Sequence, residues 1–204
     1  MNLLTELPEG ISHSISREAM MALPIRRYAG RTCVVTTPAD FDEARTDLRA
    51  ERVVGLDTET RPAFVKGVSH LPCLVQVASA RVVYLFQLRR AEGFPLLAEL
   101  LGDARIVKAG ISLKDDMSSL ARVFPFGAEN LLDLGNLARR NHFTQTGLRN
   151  LAGIVLGFRI PKGASTSNWA ATKLTAAQIN YAATDAWGCR ELYLKFEELG
   201  LLRV

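Results

Sequence analysis

The chain has 204 residues, 48% hydrophobic and 23% charged, with 15 Gly and 8 Pro. This is the make-up of one globular domain, or at most two small ones, and it excludes disordered, collagen-like and fibrous classes. A chain this long buries roughly 70% of the surface its unfolded form exposes, so its core needs neither disulfides nor a structural metal. Cys33, Cys73 and Cys189 are odd in number, far apart and without a C-x-x-C pair, so they read as reduced thiols of a cytoplasmic protein. The start, MNLLTELPEGISHS, lacks a secretory pattern, and no apolar run approaches the roughly 18 residues of a membrane span. No membrane partner is expected. With 25 Lys and Arg against 21 Asp and Glu, the formal charge is +4, which favours an anionic partner without requiring one.

Residues 1–30 are turn-rich, with Pro8, Gly10, Pro24 and Gly30, and read as an extension lying on the domain with one short helix near SREAMMAL. The fold proper spans 31–204. Short β-branched runs follow at 32–37, 52–59, 73–79 and 81–88, with a helix over 39–50 between the first two. Neither RPAFVKGVSHLP nor the Ala80 turn can hold a crossover helix, so the last three of these strands run antiparallel to their neighbours. From residue 95 the rhythm becomes helix and strand by turns: PLLAELLG, the strand RIVKAG, a helix over 113–123, NLLDL, then helices to the end. Such units pair in parallel, and the sum is a mixed sheet flanked by helices, an α/β domain.

Three places carry unusual acids. In VVGLDTET, Asp57 and Glu59 are i and i+2 on an apolar strand, so both carboxylates share one face and Thr58 turns away. In KAGISLKDDMSSLARVF, the apolar stripe Leu113, Met117, Leu120, Val123 and Phe124 places Asp116 about 50° from its centre and Asp115 about 150° away. Asp116 therefore sits at the rim of the buried face, while Asp115 faces solvent. In LTAAQINYAATDAWGCRELYLKFEELG, the stripe is Ala182, Ala186, Cys189, Tyr193 and Phe196, with Gly200 as the stop. Tyr181 and Asp185, i and i+4, share a face beside it.

Alone, each acid could be a solvated side chain. Together, Asp57, Glu59, Asp116 and Asp185 make a set of oxygen donors sufficient for two Mg²⁺ or Mn²⁺ ions and for phosphodiester hydrolysis. Competing mechanisms lack parts: there is no G-x-S-x-G, no G-x-x-x-x-G-K-[ST], no G-x-G-x-x-G and no H-E-x-x-H, and His13, His70 and His142 stand isolated.

In this order, D-x-E on a strand, Asp on a helix after K-A-G, and Y-x-x-x-D on a later helix resemble the DEDDy 3'-5' exonucleases, the group of ribonuclease D and the Werner-syndrome exonuclease domain. L-V-Q-V, YLF, Asp133 in LLDL, and SNWA at 167–170 extend the resemblance over roughly residues 30–200. It implies a ribonuclease-H-like five-stranded mixed sheet, and Asp57, Glu59, Asp116 and Asp185 as ligands of two divalent ions. It also implies a water-orienting role for Tyr181, with assistance to the water's deprotonation, and a place for Leu74 and Gln76 in shaping the terminal-nucleotide pocket. The histidine of the sister DEDDh group would fall at Asn180, so the Tyr subtype is favoured. The implied activity is 3'-5' exonucleolytic release of nucleoside 5'-monophosphates from single-stranded or short RNA or DNA, faster at higher pH. A non-catalytic nucleic-acid-binding module would show a missing acid, and none is missing. The chain ends just after the last motif helix, so the appended helical domains of ribonuclease D are expected to be absent. Substrate grip would then come from the domain itself, from homo-oligomerisation, or from Lys66, Arg89, Arg90, Arg139, Arg140 and Lys162.

Overall fold

A computed structural model describes residues 7–63, 67 and 69–202 of the chain; Lys66 lies outside them. A short helix α1 (Arg17–Ala22) is capped by Ser16, whose hydroxyl accepts the Ala19 N–H at 3.1 Å. The segment around it is tied down by its backbone: Thr144 N–H donates to the His13 carbonyl at 3.0 Å, and Arg26 N–H to the Arg159 carbonyl at 3.1 Å.

Strand β1 (Arg31–Val34) leads to helix α2 (Pro38–Arg49), whose capping box joins Thr37 and Asp40. The meander follows as β2 (Val53–Thr60), β3 (Pro72–Ala78) and β4 (Val82–Gln87), with β2/β3 and β3/β4 antiparallel. Helix α3 (Phe94–Gly102), strand β5 (Val107–Gly110), helix α4 (Leu113–Leu120), strand β6 (Leu131–Asp133), and helices α5 (Leu134–Arg140), α6 (Leu148–Leu151) and α7 (Ala176–Glu198) complete the domain. The sheet order is β1-β4-β3-β2-β5-β6. Two expectations need correction. The meander strands are antiparallel only among themselves, because β2 also pairs in parallel with β5, and β4 with β1. The sheet has six strands rather than the five that the resemblance implies: NLLDL, at a strand position in the alternation, contributes three residues of β6, which pair along the open edge of β5 from Lys108↔Leu131 to Gly110↔Asp133.

Alternation along β2 divides the core. Val54 and Leu56 face α2, α3 and α4 together with Ala44, Leu97 and Met117, whereas Val53 packs with Cys189, Leu192 and Phe196 of α7. Thr175 and Gln178 form a capping box at the start of α7. At its end, Leu201 N–H bonds the Phe196 carbonyl and Gly200 N–H the Glu197 carbonyl, with Gly200 at φ +70°, a Schellman stop. No helix among the described residues is long and apolar enough to cross a membrane.

One contact sets the height of α7 over the sheet. A Cβ on Gly55 would lie 2.0 Å from the Ala186 carbonyl oxygen and 2.8 Å from the Arg190 nitrogen, so the helix backbone rests directly on β2. Ala186 follows Asp185, and Gly55 precedes Asp57 by two residues; their contact brings strand and helix acids together. Gly55→Ala should therefore cost at least the ~1–3 kcal/mol of an overpacked core. A thermal melt should read this as a lower Tm, and an unchanged Tm would show that the helix does not seat there.

Candidate active site

Asp57 and Glu59 leave β2 on the α7 side, and Asp185 meets them from the helix. Each offers a carboxylate oxygen within 4.8 Å of the others. Their Cα partners on β3 are Gln76 and Leu74, and the ladder is irregular between Glu59 and Thr60, as is common for strands beside active sites. Asp57 accepts the Thr58 N–H at 2.9 Å.

Asp116 stands outside this trio. It comes from the first turns of α4, on the opposite side of the sheet, and its Oδ1 accepts the Thr58 hydroxyl at 2.8 Å. Thr58 is thus turned away from the Asp57 and Glu59 face, and in turning away it binds the fourth acid. Asp115 is exposed and Asp116 half-buried, in line with the helical phase. Asp133 has a different task. Its Oδ2 accepts the Leu113 N–H at 3.1 Å and its Oδ1 the Asn136 N–H at 2.9 Å, so one carboxylate caps both α4 and α5. The Lys of K-A-G points to the other end of the sheet, where the Lys108 ammonium donates to the Asp103 carbonyl at 2.8 Å.

Tyr181 is held between two groups. Its ring lies 6.0 Å from that of the buried Trp169, tilted 43°, which gives SNWA a packing role. On its other flank a Cβ on Gly163 would come within 2.4 Å of the Tyr181 ring, so only glycine lets the loop lie flat there. The phenol faces Asp185, whose buried Oδ1 nevertheless has no hydrogen bond of regular geometry.

Leu74 and Gln76 do not line an open pocket. Both are fully buried: Leu74 packs with Trp169 and Leu174 in the layer under α7, and Gln76 keeps both amide atoms without partners. A central strand covered by a helix cannot present these side chains to solvent. Arg89 donates to the Thr172 carbonyl and Arg139 to Asn136, while Lys162 borders the cleft that contains Tyr181 and Asp185. Thr58 beside Asp116, Gly163 beside Tyr181 and Arg149 beside Asp185 carry no sequence signal that marks them as neighbours of the site. Arg149, on the four-residue α6, has no periodic signal to single it out, yet its charge acts on both Tyr181 and Asp185.

Burial raises all four carboxyls, and repulsion within the cluster adds to it at Asp57 and Glu59. Burial, then Asp185 and Asp116, holds Asp57 well above the carboxylate range, and burial followed by Asp57 raises Glu59 to about 9. Asp116 rises to about 6 through burial, tempered by Thr58; Asp185 rises to about 6 through burial, tempered by Tyr181 and Arg149. Burial, then Asp185, pushes the Tyr181 phenol up, so it remains a proton donor. Among the described residues no Lys or Arg forms an ion pair with any of the four acids. Carboxylates without ion-pair partners, one of them with an orphaned buried oxygen, form a donor set that fits hard divalent cations.

Without metal, the folded chain holds protons on these acids that the unfolded chain releases, so stability is full at acidic pH and declines as pH rises through about 6 and then about 9. Melting the metal-free protein from pH 5 to 9 should show a falling Tm. Asp57→Asn should raise Tm at pH 8, by about 2–4 °C for each kcal/mol of repulsion relieved in a chain of this size. A wild-type Tm that is flat or rising over that range would refute the strained cluster.

A family model described as 3'-5' exonuclease matches residues 33–200. A 3'-5' exonuclease of Arabidopsis thaliana is 27% identical over 225 residues, covering 97% of this chain and 77% of that protein. A ribonuclease D of Gluconacetobacter diazotrophicus is 32% identical over 164 residues, covering 78% of this chain but 41% of that protein, so the chain spans less than half of it. Among solved structures, the Nibbler EXO domain of Aedes aegypti superposes with a TM-score of 0.75 at 22% identity, over 88% of this chain and 94% of that one, a likeness of fold. With acids and fold arranged as described and the family match running through most of its length, the chain belongs to the 3'-5' exonuclease family of hydrolases.

Proposed function

We propose that this chain shortens single-stranded or short nucleic acid from the 3' end, one phosphodiester at a time, releasing nucleoside 5'-monophosphates. The observation that carries this is the convergence of Asp57, Glu59 and Asp185 within 4.8 Å, with Asp116 held beside them by Thr58. These four acids would hold two divalent ions, Mg²⁺ or Mn²⁺. Bound there, the ions would supply activation of the attacking water and stabilisation of the leaving oxygen. Residues 31–204 form the exonuclease unit and residues 1–30 an extension on it, a division supported by the family match over 33–200.

The side chains divide the work. Asp57 and Glu59 offer carboxylate oxygens from a strand whose position α7 fixes, and Asp185 closes the trio from that helix. Tyr181, protonated and clamped by Trp169 and Gly163, donates a hydrogen bond that orients the attacking water; its raised pKa argues for orientation rather than proton abstraction. This is the Tyr subtype of the fold, since Asn180 has no basic ring nitrogen. With the acids neutralised by cations, the surface that meets a polyanion is more positive than the formal +4 suggests.

The assay is direct. End-labelled RNA and DNA oligomers incubated with Mg²⁺ or Mn²⁺ should shorten from the 3' end, chelation should stop the reaction, and Asp57→Asn or Asp116→Asn should slow it by roughly 10²-fold or more. The rate should rise between pH 6 and 9, as the raised carboxyls give up the protons that compete with the ions. No trimming by folded protein with either ion would overturn the function; full activity in the Asn variants would overturn the site. Gly163→Ala should displace the Tyr181 ring and lower kcat by roughly 10²-fold, the cost of about 1 Å of misplacement. Unchanged turnover would remove Tyr181 from the mechanism.

A further inference from the structure

A cleft of about 300 Å³ opens from Tyr181 and Asp185 along α7. Its walls come from three parts of the chain: Ala177 and Asn180 of α7, the loop carrying Lys162, and the segment before β1 carrying Arg27. That volume lies at the lower bound of ordinary ligand pockets and suits a ligand of single-nucleotide size.

Arg27 is placed there by the backbone on both sides. Arg26 N–H donates to the Arg159 carbonyl at 3.1 Å, Arg159 N–H returns to the Pro24 carbonyl at 2.9 Å, and Tyr28 N–H donates to the Thr184 hydroxyl at 3.1 Å. Thr184 in turn donates to the Asn180 carbonyl at 2.6 Å, which locks the anchor to α7. The neighbouring guanidinium of Arg26 lies over the Phe158 ring at 5.6 Å, while Arg27 borders the cleft. Both Arg27 and Lys162 are exposed, and among the described residues neither makes an ion pair. Two uncompensated cations therefore flank a cleft with apolar walls at Ile160, Pro161 and Ala164, and one end of it is a member of the acidic trio. An anion with a flat, partly apolar body meets every part of this surface: phosphate to the cations, base to the apolar wall, and a base edge to the Asn180 amide, which offers both donor and acceptor.

We propose that this cleft is a nucleotide subsite of the substrate channel, in which Arg27 and Lys162 each bind a backbone phosphate of the nucleic acid strand entering the acidic cluster. The assignment rests on the exonuclease reading for its substrate and extends it. The segment ahead of β1 becomes part of the substrate site, supplying grip from within the chain itself.

Equilibrium binding of a fluorescein-labelled, cleavage-resistant phosphorothioate oligonucleotide, measured by anisotropy across a salt series, tests it. Arg27→Ala and Lys162→Ala should each weaken binding several-fold and lower the slope of log K against log salt by about 0.7, the value for one single-strand phosphate contact. Arg27→Lys should restore the slope. Ala177→Trp, which fills the cleft without changing charge, should weaken binding with the slope intact. Arg105→Ala, on a residue paired with Asp103 at the far end of the sheet, should change neither. Wild-type affinity and slope in Arg27→Ala, or wild-type affinity in Ala177→Trp, would overturn the subsite even in an active exonuclease. Arg27-dependent binding in a chain that hydrolyses nothing would instead preserve the subsite and remove the catalytic reading.

Discussion

Asp57, Glu59 and Asp185 each bring a carboxylate oxygen within 4.8 Å of the others, in surroundings where burial has removed much of the screening water. Burial disfavours charge on all of these acids, and at Asp57 and Glu59 the neighbouring carboxylates add repulsion to it. The rest of the domain makes the convergence unavoidable. Strand β2 lies between β3 and β5, α7 rests on it at Gly55, and neither can withdraw without breaking a layer of the core. Repulsion is therefore stored in the folded chain, and cations can relieve it.

The same economy explains the surrounding polar residues. Thr58 cannot join the trio, because it points to the other face of β2; it holds Asp116, which reaches the strand end from that face. Asp133 fixes the start of α4 by accepting the Leu113 N–H, and so fixes the direction from which Asp116 approaches. Gly163 and Trp169 hold the Tyr181 ring from two sides, which sets the phenol against Asp185. Each of these residues works by orienting a group that carries the charge or the proton.

What was legible in the sequence followed from periodicity. Alternation placed Asp57 and Glu59 on one face, the 100° helical step separated Asp116 from Asp115, and the spacing of four put Tyr181 and Asp185 together on α7. These are properties of single elements. What was not legible depends on two elements meeting: the Thr58 hydroxyl on Asp116, Gly163 against Tyr181, and the parallel pairing of β2 with β5 that makes β2 internal. The burial of Leu74 and Gln76 was hidden because it requires α7 to be laid across β3. Arg27 lay in a segment with no periodicity, and only its flanking backbone hydrogen bonds place it beside α7.

In the metal-free chain the raised carboxyls keep protons in the site where cations would bind. Calorimetric titration of the metal-free protein with Mn²⁺ at pH 7, repeated in buffers of different ionisation enthalpy, counts the protons expelled on binding. With Glu59 near 9 and Asp57 well above the carboxylate range, binding should release at least about one proton per chain. Binding with no proton release would contradict the account, because it would mean that the acids were already ionised and unstrained before the metal arrived.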